Sequence, residues 1–434
     1  MFDVFGCVLV MTATIVAMVV VSAITDRMYK SLGIVFLTMY CIYSGIGFSF
    51  YEIDHEGLFL VQYCLGGLFF AICLYAYRNR VQNYIYRRKN TDEWIFELNN
   101  GLIIKIMVVV YLLTYVFPFI YPSFRLFDIF HVGELFSNYH SVSSSVKAAT
   151  KNDAIYQLVC STLRTLVFPA FYIYLYKIKD KPVKFIILFV LPTYLYAIER
   201  YYLFRSDMLV LLVFIFIYLY KEEIFPRSIL KLIAGVSVPI VFVLFGALFY
   251  IRQGVSVADF SAKYLVTDLI SAETSFIKNY NTAADCSGSV SGIMFFIYVL
   301  TGFIPTSIKG FFGVKEINLA QVLSNNILGI TYGSKNYYLL LPSVLGEGIM
   351  VFDKYFAFLY LGIVAIIFGI IFKWVRRNDS QYYLAVFLIL DIMREVRGGS
   401  QFIFTTWAAR LVPFMFLMLL IRSIYKRRGV NKCN

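Results

Sequence analysis

The chain has 434 residues, 60% of them hydrophobic and 15% charged, with a net charge of +13 and a mean hydropathy of +0.74. A water-soluble protein carries charge on roughly a quarter of its residues, so too few polar side chains remain to cover a water-facing surface. A soluble enzyme and a disordered chain are both excluded. The apolar runs are continuous and do not alternate with a period of two, so the expected class is an all-α polytopic membrane protein and not a β-barrel.

Taken in chain order, apolar runs long enough to be read as spans fall near 3–24, 31–51, 58–77, 102–121, 156–176, 185–199, 206–220, 232–250, 355–373, 381–396 and 404–421. No internal repeat or low-complexity tract interrupts them, and the chain reads as a single integral membrane domain over 1–434. The N-terminus lacks a basic region and a convincing cleavage site, so the first run is expected to be a retained helix. Every second connection is basic. Arg27 and Lys30, Arg78 to Lys89, Lys177 to Lys184, Lys221 to Lys231, Lys373 to Arg377, and Arg422 to Arg428 follow alternate runs, while Glu52 to Glu56 form an acidic turn. The positive-inside rule then gives about eleven crossings, an external N-terminus and a cytoplasmic C-terminus. The basic clusters serve orientation, so nucleic acid is not the expected partner. Two large external segments result, 122–155 and 251–354. The second holds apolar stretches near 293–308 and 337–352, which could be re-entrant, surface-lying or an extra pair of crossings.

Cys7, Cys41, Cys64, Cys73 and Cys160 lie in apolar runs and pack as small hydrophobes; with Cys286 and Cys433 they make no zinc-like or disulfide spacing. His131 and His140 read as solvated loop residues. There is no phosphate-binding GxxxxGK[ST], no GxGxxG, no HExxH and no paired-aspartate motif for a metal-bound nucleotide sugar. The cytoplasmic connections are too short for a nucleotide-binding domain. Any chemistry is therefore expected at the external face and without a cofactor.

That face carries Arg200, Arg205, Arg252, Arg394, Arg397 and Arg410, against the usual bias. Arg410 lies six residues into the last run, roughly 9 Å deep at about 1.5 Å per residue. Ionisable groups at such depth are costly and face a cavity or a partner. Guanidinium forks suit phosphate, so these arginines are candidates for binding a diphosphate at headgroup level. Local pairing is the plainer alternative: Arg394 with Asp391, and Arg205 with Asp207 or Glu199. In Arg394-Glu395-Val396-Arg397-Gly398-Gly399-Ser400-Gln401, paired glycines allow close approach of the backbone to a ligand, or simply end a helix. Glu347, in Leu345-Gly346-Glu347-Gly348, is a rare carboxylate in an apolar setting. It is a candidate general base, or else the partner of an arginine.

Many spans, two large external loops, arginines at external helix ends and these patches resemble the Wzy-type O-antigen repeat-unit polymerases of bacterial inner membranes. The patches are Glu199-Arg200-Tyr201-Tyr202-Leu203-Phe204-Arg205-Ser206-Asp207, Tyr250-Ile251-Arg252 and Leu345-Gly346-Glu347-Gly348-Ile349-Met350-Val351-Phe352. The family pattern has about twelve spans, one more than counted here. The resemblance implies a GT-C-like fold and glycosyltransferase activity in lipopolysaccharide biosynthesis. It implies an undecaprenyl-diphosphate-linked glycan as donor, a second lipid-linked unit as acceptor, and a chain-length regulator protein as a further partner. Glu347 and Arg252 would then be catalytic, with Arg200, Arg205, Arg394, Arg397 and Arg410 on the diphosphate, and neither metal nor nucleotide is required. An O-antigen ligase, a lipid-linked oligosaccharide flippase and a structural or receptor role remain the alternatives.

Overall fold

The computed structural model describes residues 4–46, 56–81, 101–116, 151–199, 205–237, 239, 290–301, 304, 318–330, 339–375 and 379–430. Among them the chain is all-helical, without strands. The helices are α1 (Val4–Ser22), α2 (Arg27–Tyr40), α3 (Glu56–Ala76), α4 (Gly101–Val116), α5 (Lys151–Lys177), α6 (Pro182–Glu199), α7 (Arg205–Lys221), α8 (Gly292–Leu300), α9 (Leu319–Leu328), α10 (Ser343–Val351), α11 (Ala357–Val375), α12 (Tyr382–Glu395) and α13 (Ser400–Val430). Residues 227–237 are helical too and begin the eighth apolar run; the rest of that run lies outside the described residues.

Among the described residues, five helical stretches are long and apolar enough to cross a membrane: Phe5–Ser22, Glu56–Asn79, Val159–Lys177, Ala357–Val375 and Ser400–Ile421. Gly101–Tyr115, Pro182–Thr193 and Leu209–Lys221 are shorter apolar helices. Pro169, Pro192 and Pro413 lie inside α5, α6 and α13. Such prolines are tolerated in membrane helices because neighbouring groups satisfy the freed carbonyls. The stretches expected near 293–308 and 337–352 contain α8 and α10. Each is nine residues long. At about 1.5 Å per residue, neither helix alone reaches half of a ~30 Å hydrocarbon core.

The helices cluster in two compact units. The first takes residues 1–96, 266–379 and 385–434, and the second takes 97–265 and 380–384. In the first unit, α3 lies against α1 and α11, and α10 against α11. Glycines on α11 make the α3 contact close. A Cβ on Gly362 would fall 2.4 Å from Phe69, and one on Gly369 would fall 2.4 Å from Tyr77. Small residues at such crossings let backbones approach, which is where membrane helices gain packing energy. Hydroxyl groups pin the same bundle. Tyr63 Oη and Thr14 Oγ1 are 2.8 Å apart, Tyr40 stacks on Tyr63, and Tyr29 Oη donates to the Gly369 carbonyl at 3.1 Å. Gln62 is buried and spans the head of α11: its Nε2 donates to Tyr355 O at 2.7 Å, and its Oε1 accepts from Phe358 N at 3.2 Å. In the second unit, α4 lies against α5 and the α6–α7 pair stacks Phe185 on Tyr218 at 3.6 Å and Phe189 on Phe214 at 4.2 Å.

Candidate functional site

The segment from Asp391 to Gln401 ends α12, makes a 3-10 turn over Val396–Gly398, and starts α13 at Ser400. Gly399 has φ +101 and ψ 177, a backbone region essentially closed to residues with a Cβ. The reason sits beside it. A Cβ on Gly399 would fall 2.3 Å from both Cδ and Oε1 of Glu347. The glycine thus admits a carboxylate from α10 against the head of α13.

Glu347 is fully buried, as are all its neighbours on α10. Its Oε2 accepts from Ser400 N at 2.6 Å, Ser400 Oγ at 2.7 Å and Tyr360 Oη at 3.2 Å, and its Oε1 accepts from Gln401 N at 2.9 Å. A helix start leaves amides without intrahelical partners and carries the positive end of the helix dipole. Glu347 satisfies both needs from a different element. Burial pushes its carboxyl pKa up to about 7, while the hydrogen bonds from Ser400, Gln401 and Tyr360 act in the opposite direction. Among the described residues it makes no ion pair, so the partner it finds is a helix head and not an arginine. The cap extends outward: Gln401 Oε1 accepts from Leu319 N at 3.1 Å, which ties α9 to α13. On the other side, Ser44 Oγ donates to Ser343 Oγ at 3.1 Å, and Ser343 opens α10 with φ +56.

The arginines divide. Arg394 Nη2 lies 3.1 Å from Asp391 Oδ1 and its Nε donates to Glu395 Oε1 at 2.9 Å. Arg410 Nη1 donates to Asp391 Oδ2, with its guanidinium over the Phe387 ring at 5.4 Å. The Asp391 side chain is 1% exposed, against 19% for Arg394 and 15% for Arg410. Two cations and two carboxylates therefore form a charge-balanced, mostly buried cluster. The local pairing of Arg394 with Asp391 is the one the i,i+3 spacing offers. Helix α13 begins at Ser400, so Arg410 lies ten residues along it, about 15 Å from its head. Polar Ser400 and Gln401 read as a turn in the sequence, but the Glu347 cap makes them helix. Arg397 is different: it is exposed, on the 3-10 turn, within electrostatic reach of the Tyr43 hydroxyl.

Arg205 opens α7 in the second unit; its side chain lies outside the described residues. Arg200 and Arg252, together with His131, His140 and most of the expected loops, also lie outside them. A residue that sequence reasoning passed over is Arg164, inside the Val159–Lys177 stretch. Its Nη2 donates to the Thr114 carbonyl at 2.9 Å and its guanidinium lies 3.8 Å over the Tyr115 ring. A lone charge in an apolar run was the available signal. No group of metal-ligating side chains occurs among the described residues. Comparison with known proteins gives no matching family model, no matching curated protein and no matching solved structure.

Proposed function

We propose that this chain polymerises lipid-diphosphate-linked oligosaccharide repeat units at the periplasmic face of a bacterial inner membrane, as a GT-C-like glycosyltransferase. The observation that carries the reading is an exposed Arg397 on a turn fixed by Glu347, at the end of α12 that the alternation of basic connections assigns to the outside. The neighbouring Arg394 and Arg410 have carboxylates of their own. The donor is held by its diphosphate on Arg397. The acceptor hydroxyl oxygen attacks the anomeric carbon, the bond from that carbon to the diphosphate oxygen breaks, and the hydroxyl proton leaves to solvent or to the departing diphosphate. Guanidinium groups stabilise the charge that grows on the leaving group. Charge of that kind on a good leaving group needs no nucleotide.

The test is the full-length protein in lipid with an undecaprenyl-diphosphate-linked repeat unit. A ladder of products supports the reading, and unchanged starting material refutes it. Arg397→Lys keeps the charge but loses the bidentate fork, so it should reach the membrane at normal levels and make little polymer. Full-length polymer from an Arg397→Ala protein would remove that residue from the site. In cells lacking the gene, a polymerase defect leaves lipopolysaccharide capped by one repeat. A ligase defect leaves no cap, and a flippase defect strands lipid-linked units on the cytoplasmic side.

A further inference from the structure

We infer that Glu347 is a positioning residue for Arg397 and takes no proton from substrate: it locks the Gly398–Gly399 turn that presents the guanidinium. The inference rests on the polymerase reading for what Arg397 touches, and on geometry for the rest.

A general base must come within about 2.6–3.2 Å of the hydroxyl it deprotonates. Glu347 has no free oxygen to offer. A carboxylate has about two lone-pair directions on each oxygen. Oε2 already receives the Ser400 amide and a proton from the Ser400–Tyr360 hydroxyl pair, which are themselves 2.6 Å apart. Oε1 receives the Gln401 amide. Its remaining side is closed by Gly399, whose Cα leaves too little space for even one further carbon: a Cβ there would sit 2.3 Å away. The side chain is fully buried. A substrate hydroxyl would have to unseat the first turn of α13 before it reached the carboxylate.

The same contacts explain what Glu347 does hold. Two amides of α13, one hydroxyl of α13 and one of α11 converge on a carboxylate from α10. The turn that carries Arg397 is the short link between α12 and this anchored helix head. Freeing the head lets the turn move, and a guanidinium displaced by an ångström no longer meets a diphosphate with both nitrogens.

The experiment uses the full-length protein in lipid with the lipid-diphosphate-linked unit, comparing wild type, E347Q, R397A and the double variant. Glutamine places an amide donor against either the Gln401 or the Ser400 amide, so one hydrogen bond is lost whichever way it faces. The positioning role predicts that E347Q raises KM for the donor about tenfold, with kcat changed less than about threefold and the shape of the pH profile kept. In the R397A background, E347Q should change kcat/KM by less than about twofold, because the two residues act as one unit. A kcat loss of about 10²–10⁴-fold with loss of the acidic limb, equal in both backgrounds, would overturn the inference. Where E347Q does not fold, Ser400→Ala decides. It removes one donor and leaves the carboxylate, so a raised KM with an unmoved pH profile supports positioning. An acidic limb moved upward with KM unchanged overturns it. Wild-type protein that makes no polymer defeats the polymerase reading alone. Amide exchange across 398–402 then still reads the clamp: faster exchange in E347Q supports it, and equal exchange overturns it.

Discussion

Replacing Gly399 by alanine tests the geometry of the site most directly. Two independent costs add. Alanine at φ +101 and ψ 177 occupies a backbone region nearly reserved for glycine, at about 1–3 kcal/mol. Its Cβ would also lie 2.3 Å from Oε1 and Cδ of Glu347. Neither atom is the end of a free side chain, since the carboxylate is tied to Ser400, Gln401 and Tyr360. Relief requires the carboxylate to retreat and give up at least one charge-assisted hydrogen bond, about 1.5–3 kcal/mol. Together the loss should be about 2.5–6 kcal/mol. The assay is equilibrium unfolding of the purified protein in mixed micelles by added denaturing detergent, with Gly57→Ala as control. Gly57 lies in the first turn of α3 with nothing within 4 Å of an added Cβ, so that variant should lose no stability. A Gly399→Ala protein within about 0.5 kcal/mol of wild type would refute both the strained turn and the buried carboxylate cap.

Asp391→Asn should destabilise by about 3–5 kcal/mol, because Arg394 and Arg410 share that carboxylate in a mostly buried setting. The same unfolding assay checks it, and an unchanged midpoint would mean the cluster is solvated. Gly369→Leu should cost about 1–3 kcal/mol or more by overpacking against Tyr77, read as lower yield and earlier unfolding; tolerance would show that α3 and α11 do not pack as closely as described. Reporter fusions ending near residues 90 and 378 should signal cytoplasm, and those near 140 and 275 periplasm; a cytoplasmic signal at 275 would overturn the topology.

The helical class was legible because burial in lipid leaves few options for a chain with long, continuous apolar runs. Each expected run falls wholly or partly on a described helix, apart from the unseen remainder of 232–250. The Asp391–Arg394 pair was legible for a similar reason, since i,i+3 neighbours on one helix meet wherever the helix goes. Arg410 was recognised as out of place, but its partner was not: Asp391 lies on another helix, nineteen residues away, and only tertiary packing brings the two together. Glu347 was singled out for the right reason, a carboxylate among apolar residues. Its partners were hidden because backbone amides leave no mark in a sequence. The clearest local sign was Gly399, which reads equally well as an ordinary helix end and as a place where something must come close.

The head of α13 has a chemical consequence for any anionic substrate. A free helix start offers amides and a positive dipole end to phosphate. Here that position is filled by the chain's own carboxylate, bound to the first two amides of the helix. A diphosphate arriving at this turn would meet a helix end whose first amides are already taken by a buried carboxyl group. Arg394 and Arg410 are compensated in the same way by Asp391 and Glu395. Attraction for a polyanion then has to come from charge at the surface, and within the described part of the α12–α13 junction the exposed arginine is Arg397. Reversing that one charge with Arg397→Glu should therefore abolish binding of lipid diphosphate by the purified protein while leaving its unfolding midpoint within about 0.5 kcal/mol of wild type. Retained binding would place the anion elsewhere, and a large loss of stability would mean that Arg397 is as structural as its neighbours.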